Sequence, residues 1–359
     1  MTQKDLLNLR LHSLKLAEKS NFTPAEVVSK LGAVQAQDFE GAKWSIAMRT
    51  LEKSQNDVEK AISERSIVRT WPMRGTLHFV ASDDVRWMLK LLAPRIISGM
   101  AGRNRQLELD NDTFNKSQDL LLRAMEGTKQ LERSEVYAIL EENGIRTSQQ
   151  RGIHIINYLA QTQILCHGSH HGKQPTYVLL DDWIPKSREI SPDEALIEIA
   201  SKYFTGHGPA TLQDFVWWSG LKISDARRAL AAIGHNLIHK EVDGNSYWYD
   251  PGLSDIKPTE TTLLLSGFDE YILGYTNRTL AVNTSHLPKL VPGNNGMFMP
   301  TIVIDGKVEG LWKKEIKRDK VVINLTPFSK LSAPKLNRIR KAAEEYASYL
   351  GKELIDVSN

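Results

Sequence analysis

Cysteine is almost absent from this chain, and so are the features of membrane and secreted proteins. With a single cysteine, Cys166, among 359 residues, an internal disulfide is impossible, which is typical of proteins from reducing compartments. No apolar stretch approaches the roughly 18 residues that a membrane-spanning helix needs, and the first 19 residues are too interrupted by charge for a secretory signal. We therefore predict a cytoplasmic protein with no membrane partner.

A strong excess of one charge is also missing. The net charge is +3, and the hydrophobic fraction of 41% and charged fraction of 25% are those of an ordinary globular protein. This mildly basic balance permits binding to nucleic acid without requiring it. The length is sufficient for two or three compact units with a sizeable core.

Motifs of common cofactor and metal chemistry are absent as well. The sequence has no glycine-rich phosphate loop, no nucleophile elbow and no zinc-protease helix, so no cofactor is expected. Cys166 stands close to His167, His170 and His171, but the paired Cys-x-x-Cys spacing of structural zinc sites is lacking. No metal site is predicted, and contact of these histidines with a phosphate is the simpler interpretation.

One pattern of elements recurs along the chain: helices joined by short turns, a further helix bearing Arg or Gln, and a hairpin with a polar tip. The clearest copy predicts helices over 134–145 and 147–163, followed by a hairpin. Gln149, Gln150 and Arg151 stand at the exposed beginning of the second helix, where a DNA-recognition helix carries its contacts.

A second copy follows this one. It predicts a helix over 208–221, a further helix over 222–236 and a hairpin around Asp243-Gly244, a strong tight-turn signal. Lys222, Arg227 and Arg228 are the basic residues of the further helix.

The N-terminal third carries a more divergent copy. Helices are predicted over 23–35 and from residue 56, the latter running into a strand. The segment WPMRGTLHFV would be the hairpin, with apolar residues alternating around Arg74, Gly75 and His78. The alternative is that this similarity reflects only how short helices pack.

Beyond residue 260 the pattern changes to strands. The runs TLLLSGFDEYILGY, TIVIDGKVEGLW and VVINLTPF predict an antiparallel, barrel-like sheet domain. A helical apolar stripe from Pro334 to Leu354 predicts that the chain ends in an amphipathic helix.

Two glutamines, Gln35 and Gln37, bracket one alanine in VQAQD. On a helix they would point roughly 200° apart, whereas in an extended segment they would lie on one face. They can therefore act as a pair only if the segment is extended. The alternative is that they end a helix, with both side chains solvated or bonded to backbone.

Five motifs, taken together and in this order, resemble those of the winged-helix DNA-binding family that includes the AlkZ-type bacterial DNA glycosylases, enzymes that release alkylated bases and unhook interstrand crosslinks. The motifs are VQAQD, RTWPMRGTLHFV, GPATLQDFVWWSGL, FDEYILGY and IDGKVEGLW. The resemblance extends from about Leu31 to about Phe328. It implies three tandem winged helix-turn-helix units around a concave basic DNA-binding face, a β-rich C-terminal domain, and a monomer.

Combined with the strand pattern, the resemblance leads us to predict an α+β fold in four segments. Residues 1–110 would form the first winged-helix unit, carrying Gln-x-Gln, residues 111–188 the second and residues 189–255 the third. Residues 256–359 would form the β-rich, barrel-like domain with its terminal helix.

The resemblance also implies a catalytic Gln-x-Gln motif, which maps onto Gln35 and Gln37. A sister branch of the family carries Gln-x-Asp, and Asp38 stands one residue too late to match it. An amide can orient a water molecule but cannot deprotonate it, so two glutamines suit a leaving group that is already cationic, such as an N7- or N3-alkylated purine.

The predicted function is thus a monofunctional DNA glycosylase that acts on double-stranded DNA bearing alkylated purines or crosslinks. The Gln-x-Gln motif contains no lysine that could form a Schiff base. The alternative is a non-catalytic winged-helix DNA-binding protein or transcriptional regulator.

Further contacts are predicted in WPMRGTLHFV. Arg74 would bind a phosphate, His78 would lie near the lesion and Thr76 would add a polar contact. In the alternative interpretation, Thr76 and His78 are satisfied core residues and Arg74 pairs with an acid.

Two other motifs are interpreted as structural. Asp269 and Glu270 are adjacent, and on a strand they would point to opposite faces, which excludes a simple catalytic dyad. Asp269 could also orient a DNA-facing arginine such as Arg278. The pair Trp217 and Trp218 is predicted to pack in the core.

Overall fold

In the computed structural model, which describes residues 1–18, 20–127 and 129–358, the chain begins with two helices capped by threonine. Thr2 caps α1 (Gln3–Ser13) and Thr23 caps α2 (Pro24–Leu31), and in both cases an acidic residue three positions later bonds back to the backbone of the cap. The next elements are β1 (Val34–Gln35), α3 (Phe39–Ala47) and α4 (Gln55–Ser63).

The next 140 residues or so contain both strands and helices, often in consecutive pairs of one kind. Strand β2 (Ile67–Met73) turns into β3 (Thr76–Ala81) through Arg74 and Gly75, whose φ angles of 54° and 70° suit a two-residue hairpin turn. The predicted hairpin is therefore confirmed. The remaining elements are α5 (Val85–Gln106), α6 (Asn111–Met125), β4 (Leu131–Glu132), α7 (Arg133–Glu142), α8 (Arg151–Gln161), β5 (Leu165–His167), β6 (Thr176–Leu179), α9 (Leu180–Trp183) and α10 (Pro192–His207).

Strands become more frequent in the last third of the chain. Its elements are α11 (Leu212–Ser219), α12 (Ile223–Ile233), β7 (Ile238–Val242), β8 (Asn245–Tyr249), β9 (Thr262–Leu265), α13 (Glu270–Leu273), α14 (Leu287–Leu290), β10 (Thr301–Ile304), β11 (Lys307–Lys317), β12 (Lys320–Pro327), α15 (Ala333–Tyr349) and β13 (Glu353–Ser358). Strands β7 and β8 form the predicted hairpin around Asp243-Gly244.

The chain divides into two compact units. The split unit comprises residues 1–59 and 200–359, and the inserted unit comprises residues 60–199. The predicted division into four segments is finer than this and stays a prediction. Of the helices in the described part of the chain, none has both the length and the apolar character to cross a membrane.

The inserted unit is built on an antiparallel sheet in the order β3-β2-β5-β6-β4. Helices α6, α7 and α8 share one core, to which α8 contributes Ile155, Ile156 and Leu159, all fully buried. The predicted order of two helices followed by a hairpin is present in α7, α8, β5 and β6.

The split unit contains a five-stranded sheet in the order β13-β12-β11-β10-β9. The predicted barrel is wrong, because β9 and β13 lie at opposite edges of this sheet and a barrel requires its edge strands to pair. The pairing of β12 with β13 is also parallel rather than antiparallel. The chain ends in β13 instead of a helix, since Gly351, with φ of 62°, follows α15 and lets the backbone reverse.

Candidate functional site

The Gln-Ala-Gln segment lies between the end of one helix and the start of the next. Helix α2 stops at Leu31, four residues before the end predicted from the sequence, and Gly32 follows with φ of 75°. A Cβ atom at Gly32 would lie 3.0 Å from the Trp218 ring. The chain then extends through β1, which contains Gln35 but ends before Gln37, so the pairing of the two glutamines stays a prediction.

The two glutamines differ in exposure. Gln35 is buried, with 7% of its surface exposed, whereas Gln37 is exposed. The Gln35 backbone N–H donates to Oε1 of Glu270 at 3.4 Å. One residue of the motif is thus anchored in the protein and the other lies at its surface.

Glu270 is a buried carboxylate that connects several elements. Besides Gln35, it accepts hydrogen bonds at Oε2 from Trp218 Nε1 at 3.0 Å and from His207 Nε2 at 3.2 Å. Three N–H donors satisfy a group whose burial would otherwise be costly. These contacts join β1, α10 and α11 to the start of α13.

Asp269, the neighbouring carboxylate, has a separate set of partners. It accepts two hydrogen bonds from the guanidinium of Arg49, at 2.8 and 2.9 Å, and others from Ser45 Oγ at 2.6 Å and the Tyr271 backbone N–H at 2.9 Å. Burial would raise the pKa of Asp269, but Arg49 and these hydrogen bonds outweigh it and lower that pKa. Asp269 caps α13 and does not lie on a strand.

The predicted orientation of Arg278 by Asp269 is therefore wrong, because Arg49 occupies both carboxylate oxygens of Asp269. The conclusion that Asp269 and Glu270 do not form a dyad still holds, since their partners differ. No sequence pattern predicted that Glu270 contacts Gln35. The only available signal was two adjacent acids in an otherwise apolar run.

The hairpin of the inserted unit brings together Arg74, Thr76 and His78. Nδ1–H of His78 donates to the Thr76 carbonyl oxygen at 2.8 Å, and Nε2 accepts from Nη2 of Arg74 at 3.1 Å. His78 is fully buried. Burial, reinforced by the Arg74 charge, holds the pKa of His78 well below its usual range, so the ring is neutral with its proton on Nδ1.

These contacts agree with the alternative in which His78 is a satisfied core residue. Thr76 differs from that alternative, because its Oγ1 is buried and has no hydrogen-bond partner among the described residues. Arg74 is partly exposed at the turn. The predicted DNA contacts of all three residues stay predictions.

The three residues at the start of α8 do not share one environment. Gln149 and Gln150 are exposed and have left-handed backbone angles, with φ of 55° and 72°. Arg151 is buried and donates to the carbonyl oxygens of Arg146, Leu107 and Glu108. The expectation that Arg151 is exposed is wrong, because those carbonyl groups draw its guanidinium inward.

The basic residues of α12 face solvent. Lys222 is the N-cap residue, and Lys222, Arg227 and Arg228 are all exposed. Buried Ala226, Ala229 and Leu230 form the opposite face of this helix. The arrangement is that of an amphipathic helix with a cationic outer face.

The two tryptophans of α11 have different positions. Trp218 is fully buried, as predicted, whereas Trp217 is 42% exposed and the prediction of a core position is wrong for it. Consecutive residues on a helix point about 100° apart, so an amphipathic helix cannot bury both equally.

Cys166 and His167 lie within β5 and are buried. Burial raises the pKa of the Cys166 thiol. His171 is exposed and its Nδ1–H donates to Glu132 at 2.9 Å. Over residues 1–18, 20–127 and 129–358, no three His, Cys, Asp or Glu side chains are grouped so that they could hold a metal ion.

Comparison with known proteins extends over almost the whole chain. The family described as DNA glycosylase AlkZ-like matches residues 28–349. A protein of Streptomyces sahachiroi named interstrand DNA cross-link repair glycosylase is 26% identical over 368 residues, which cover 97% of this chain and 96% of that protein.

The solved structure of the DNA glycosylase AlkZ from Streptomyces sahachiroi has the same fold. The two structures share a TM-score of 0.83 at 23% identity, with 99% of this chain and 100% of the other covered. The mixed α+β fold described above is therefore the fold of that structure.

Proposed function

The chain belongs to the AlkZ-like DNA glycosylase family, and we propose that it hydrolyses the N-glycosidic bond of N7- or N3-alkylated purines in double-stranded DNA, with Gln35 and Gln37 orienting the attacking water. The chain is a DNA glycosylase, a hydrolase of N-glycosyl bonds, by this membership. The non-catalytic regulator considered from the sequence is therefore not retained.

The chemistry of an amide sets the substrate class. A purine alkylated at N7 or N3 carries a positive charge, so the departing base needs no general acid. The enzyme has to place a water near C1′ and tolerate an oxocarbenium-like transition state. Positioning alone contributes up to roughly 7–11 kcal/mol in favourable model reactions, which suffices for a labile bond. Neutral lesions such as uracil should not be released.

The observation that carries this proposal is the contrast between the two glutamines. Gln35 is anchored through its backbone to Glu270, which fixes the extended segment. Gln37, two residues later, is exposed and can reach a water on a bound duplex. Asp38 then starts α3, so the segment is held at both ends and the amides need little reorganisation in the reaction.

We assign DNA contacts to exposed polar residues at two helices. Gln149 and Gln150 directly precede α8, while Lys222 is the N-cap residue of α12 and Arg227 and Arg228 lie on that helix. Each helix precedes a hairpin, as in a winged helix, and we propose that each belongs to a DNA-binding winged-helix unit. Arg151 supports the loop before α8 rather than contacting DNA itself.

We assign further DNA contacts to the β2–β3 hairpin of the inserted unit. Arg74 would bind a phosphate, with neutral His78 accepting one of its hydrogen bonds and holding its orientation. Thr76 would be the polar neighbour. We further propose that this chain unhooks interstrand crosslinks, as the name of its Streptomyces relative says of that protein, and acts as a monomer in the cytoplasm.

The test is the release of N7-methylguanine from methylated duplex DNA. We expect release by the wild type and at least about 100-fold slower release by Gln35→Ala and Gln37→Ala, with unchanged duplex affinity, because misplacing a reacting group commonly costs that much. Gln3→Ala, an exposed glutamine on α1, is the matched control and should be fully active.

A uracil-containing duplex serves as the neutral substrate and a nitrogen-mustard crosslink as the bulky one. Absence of release by wild type from both cationic substrates would contradict the proposed substrate class. Full activity of both glutamine variants would contradict the proposed water site.

A further inference from the structure

A partly buried arginine follows α13 in the split unit. Within the described part of the chain, Arg278 donates one hydrogen bond, from Nε to the Ile272 carbonyl oxygen at 2.9 Å, and its Nη2 is buried without a protein partner. Burial lowers the pKa of Arg278, against the opposing effect of Asp214. A guanidinium carries five N–H donors and is seldom withdrawn from water without acceptors.

Two aromatic rings hold this guanidinium in place. Its central carbon lies 5.5 Å from the ring centroid of Trp217 and 5.0 Å from that of Phe298. The indole N–H of Trp217 donates to the Leu273 carbonyl oxygen at 3.0 Å, so the ring is fixed although it is 42% exposed. Cation–π contacts of this kind orient the fork without using its hydrogen-bond donors.

Arg278 also lines a cavity of about 590 Å³. Hydroxyl and amide side chains contribute to its wall, and none of its described lining residues is acidic. The principal polar and glycine positions are Thr276, Asn277, Arg278, Thr279, Gly293 and Asn294. The other described lining residues, Leu287, Pro288, Leu290 and Val291, are apolar, so an anion in this cavity would bind at Arg278.

Contacts along α13 connect the surroundings of Arg278 to the proposed water site. Glu270, the first residue of α13, contacts Gln35, and Leu273, the last, accepts from Trp217. Four helical residues span only about 5 Å along the axis. A DNA strand carries one charge per roughly 3.4 Å of helix axis, so a strand that has its lesion at Gln35 and passes Arg278 would present a phosphate to this arginine.

We propose that Arg278, held between Trp217 and Phe298, binds a phosphodiester of the DNA strand in this cavity, beside the lesion. The planar fork of arginine matches two phosphate oxygens, which a lysine cannot reproduce. The inference rests on the proposed function in that the ligand is DNA, but it does not depend on which lesion is cleaved.

The test is binding to an unmodified duplex at several salt concentrations. The affinity of Arg278→Gln should fall roughly tenfold at 0.1 M salt, and the slope of log K against log salt should lose about 0.9, the contribution of one phosphate. Arg278→Lys should keep the slope and lose affinity. Arg340→Gln removes the same charge from an exposed position on α15 and should keep both.

Thr279→Glu covers the case in which Arg278→Gln does not fold, because Thr279 is exposed and the new carboxylate would pair with the guanidinium. Thr279→Glu should lose the same part of the slope of log K against log salt as Arg278→Gln. An unchanged slope in the folded Arg278→Gln or Thr279→Glu protein would overturn the proposal, and so would an equal loss in Arg340→Gln. Because the duplex carries no lesion, failure of N7-methylguanine release would leave this result standing.

Discussion

At the scale of single residues, two adjacent buried carboxylates have separate tasks. Asp269 forms an ion pair with Arg49 and caps α13, whereas Glu270 binds the backbone of Gln35 together with His207 and Trp218. Both are about 1% exposed. Both are carboxylates, so their roles differ only through their partners. Asp269 stabilises the fold, whereas Glu270 supports the proposed site.

Exchanging each carboxylate for its amide should separate these roles. Glu270→Gln places an NH₂ group where three donors point, which should loosen Gln35 and lower kcat for N7-methylguanine release about tenfold with little change in KM. Asp269→Asn leaves Gln35 untouched but breaks a buried ion pair, which should cost about 3–5 kcal/mol of unfolding free energy.

Single-turnover kinetics and urea unfolding of both variants provide the measurement. The folded Asp269→Asn protein should retain wild-type kcat. Loss of kcat in Asp269→Asn but not in Glu270→Gln would contradict the assignment of Glu270.

At the scale of elements, the start of α3 decides where the Gln-Ala-Gln segment ends. The Asp38 side chain accepts from the Gly41 backbone N–H at 3.1 Å, as an N-cap residue does. The carboxylate that stands one position beyond the Gln-x-Asp pattern is thus used in capping.

We expect Asp38→Ala to lower the free energy of unfolding by about 1 kcal/mol, since the cap is lost. Asp38→Asn keeps a capping oxygen and should unfold like the wild type. N7-methylguanine release by Asp38→Asn should also be normal. If release by this variant fell as far as in Gln37→Ala, the carboxylate would have a catalytic role that capping does not explain.

At the scale of the whole molecule, buried neutral histidines link stability to pH. His78 and His167 are both buried in the inserted unit, and burial, with Arg74 near His78 and Arg69 near His167, holds both pKa values well below 6.5. Below pH 6.5 the unfolded chain therefore binds more protons than the folded chain. Stability is fully present above that pH and is lost on acidification.

The free energy of unfolding should accordingly fall by about 1.4 kcal/mol per histidine for each pH unit below 6.5. His167 packs against Trp71 and Tyr177 at 5.1 and 4.7 Å, so His167→Phe keeps the ring packing and should remove its share of the slope. Urea unfolding at pH 7.5, 6.5 and 5.5 measures both proteins. If the free energy of unfolding depended on pH equally in the wild type and in His167→Phe, His167 would not be neutral and buried.

Local signals predicted a large part of this fold. Asp243-Gly244 and Arg74-Gly75 encode hairpin turns, because each pair of residues adopts the left-handed angles that such turns need. Thr23-Pro24 encodes the start of α2 with an acid three residues later. These signals act within a few residues and are therefore readable without tertiary structure.

The mixed helix and strand content, the hairpins and, through five ordered motifs, the family could all be predicted from the sequence. Burial of Arg151, exposure of Trp217 and the positions of β9 and β13 at opposite edges of one sheet are known only from the folded chain. The contact of Gln35 with Glu270 joins residues 235 positions apart. Such contacts depend on how distant elements pack. Burial of a charged side chain depends in turn on the donors and acceptors that this packing brings to it. Neither property is encoded by a local sequence pattern.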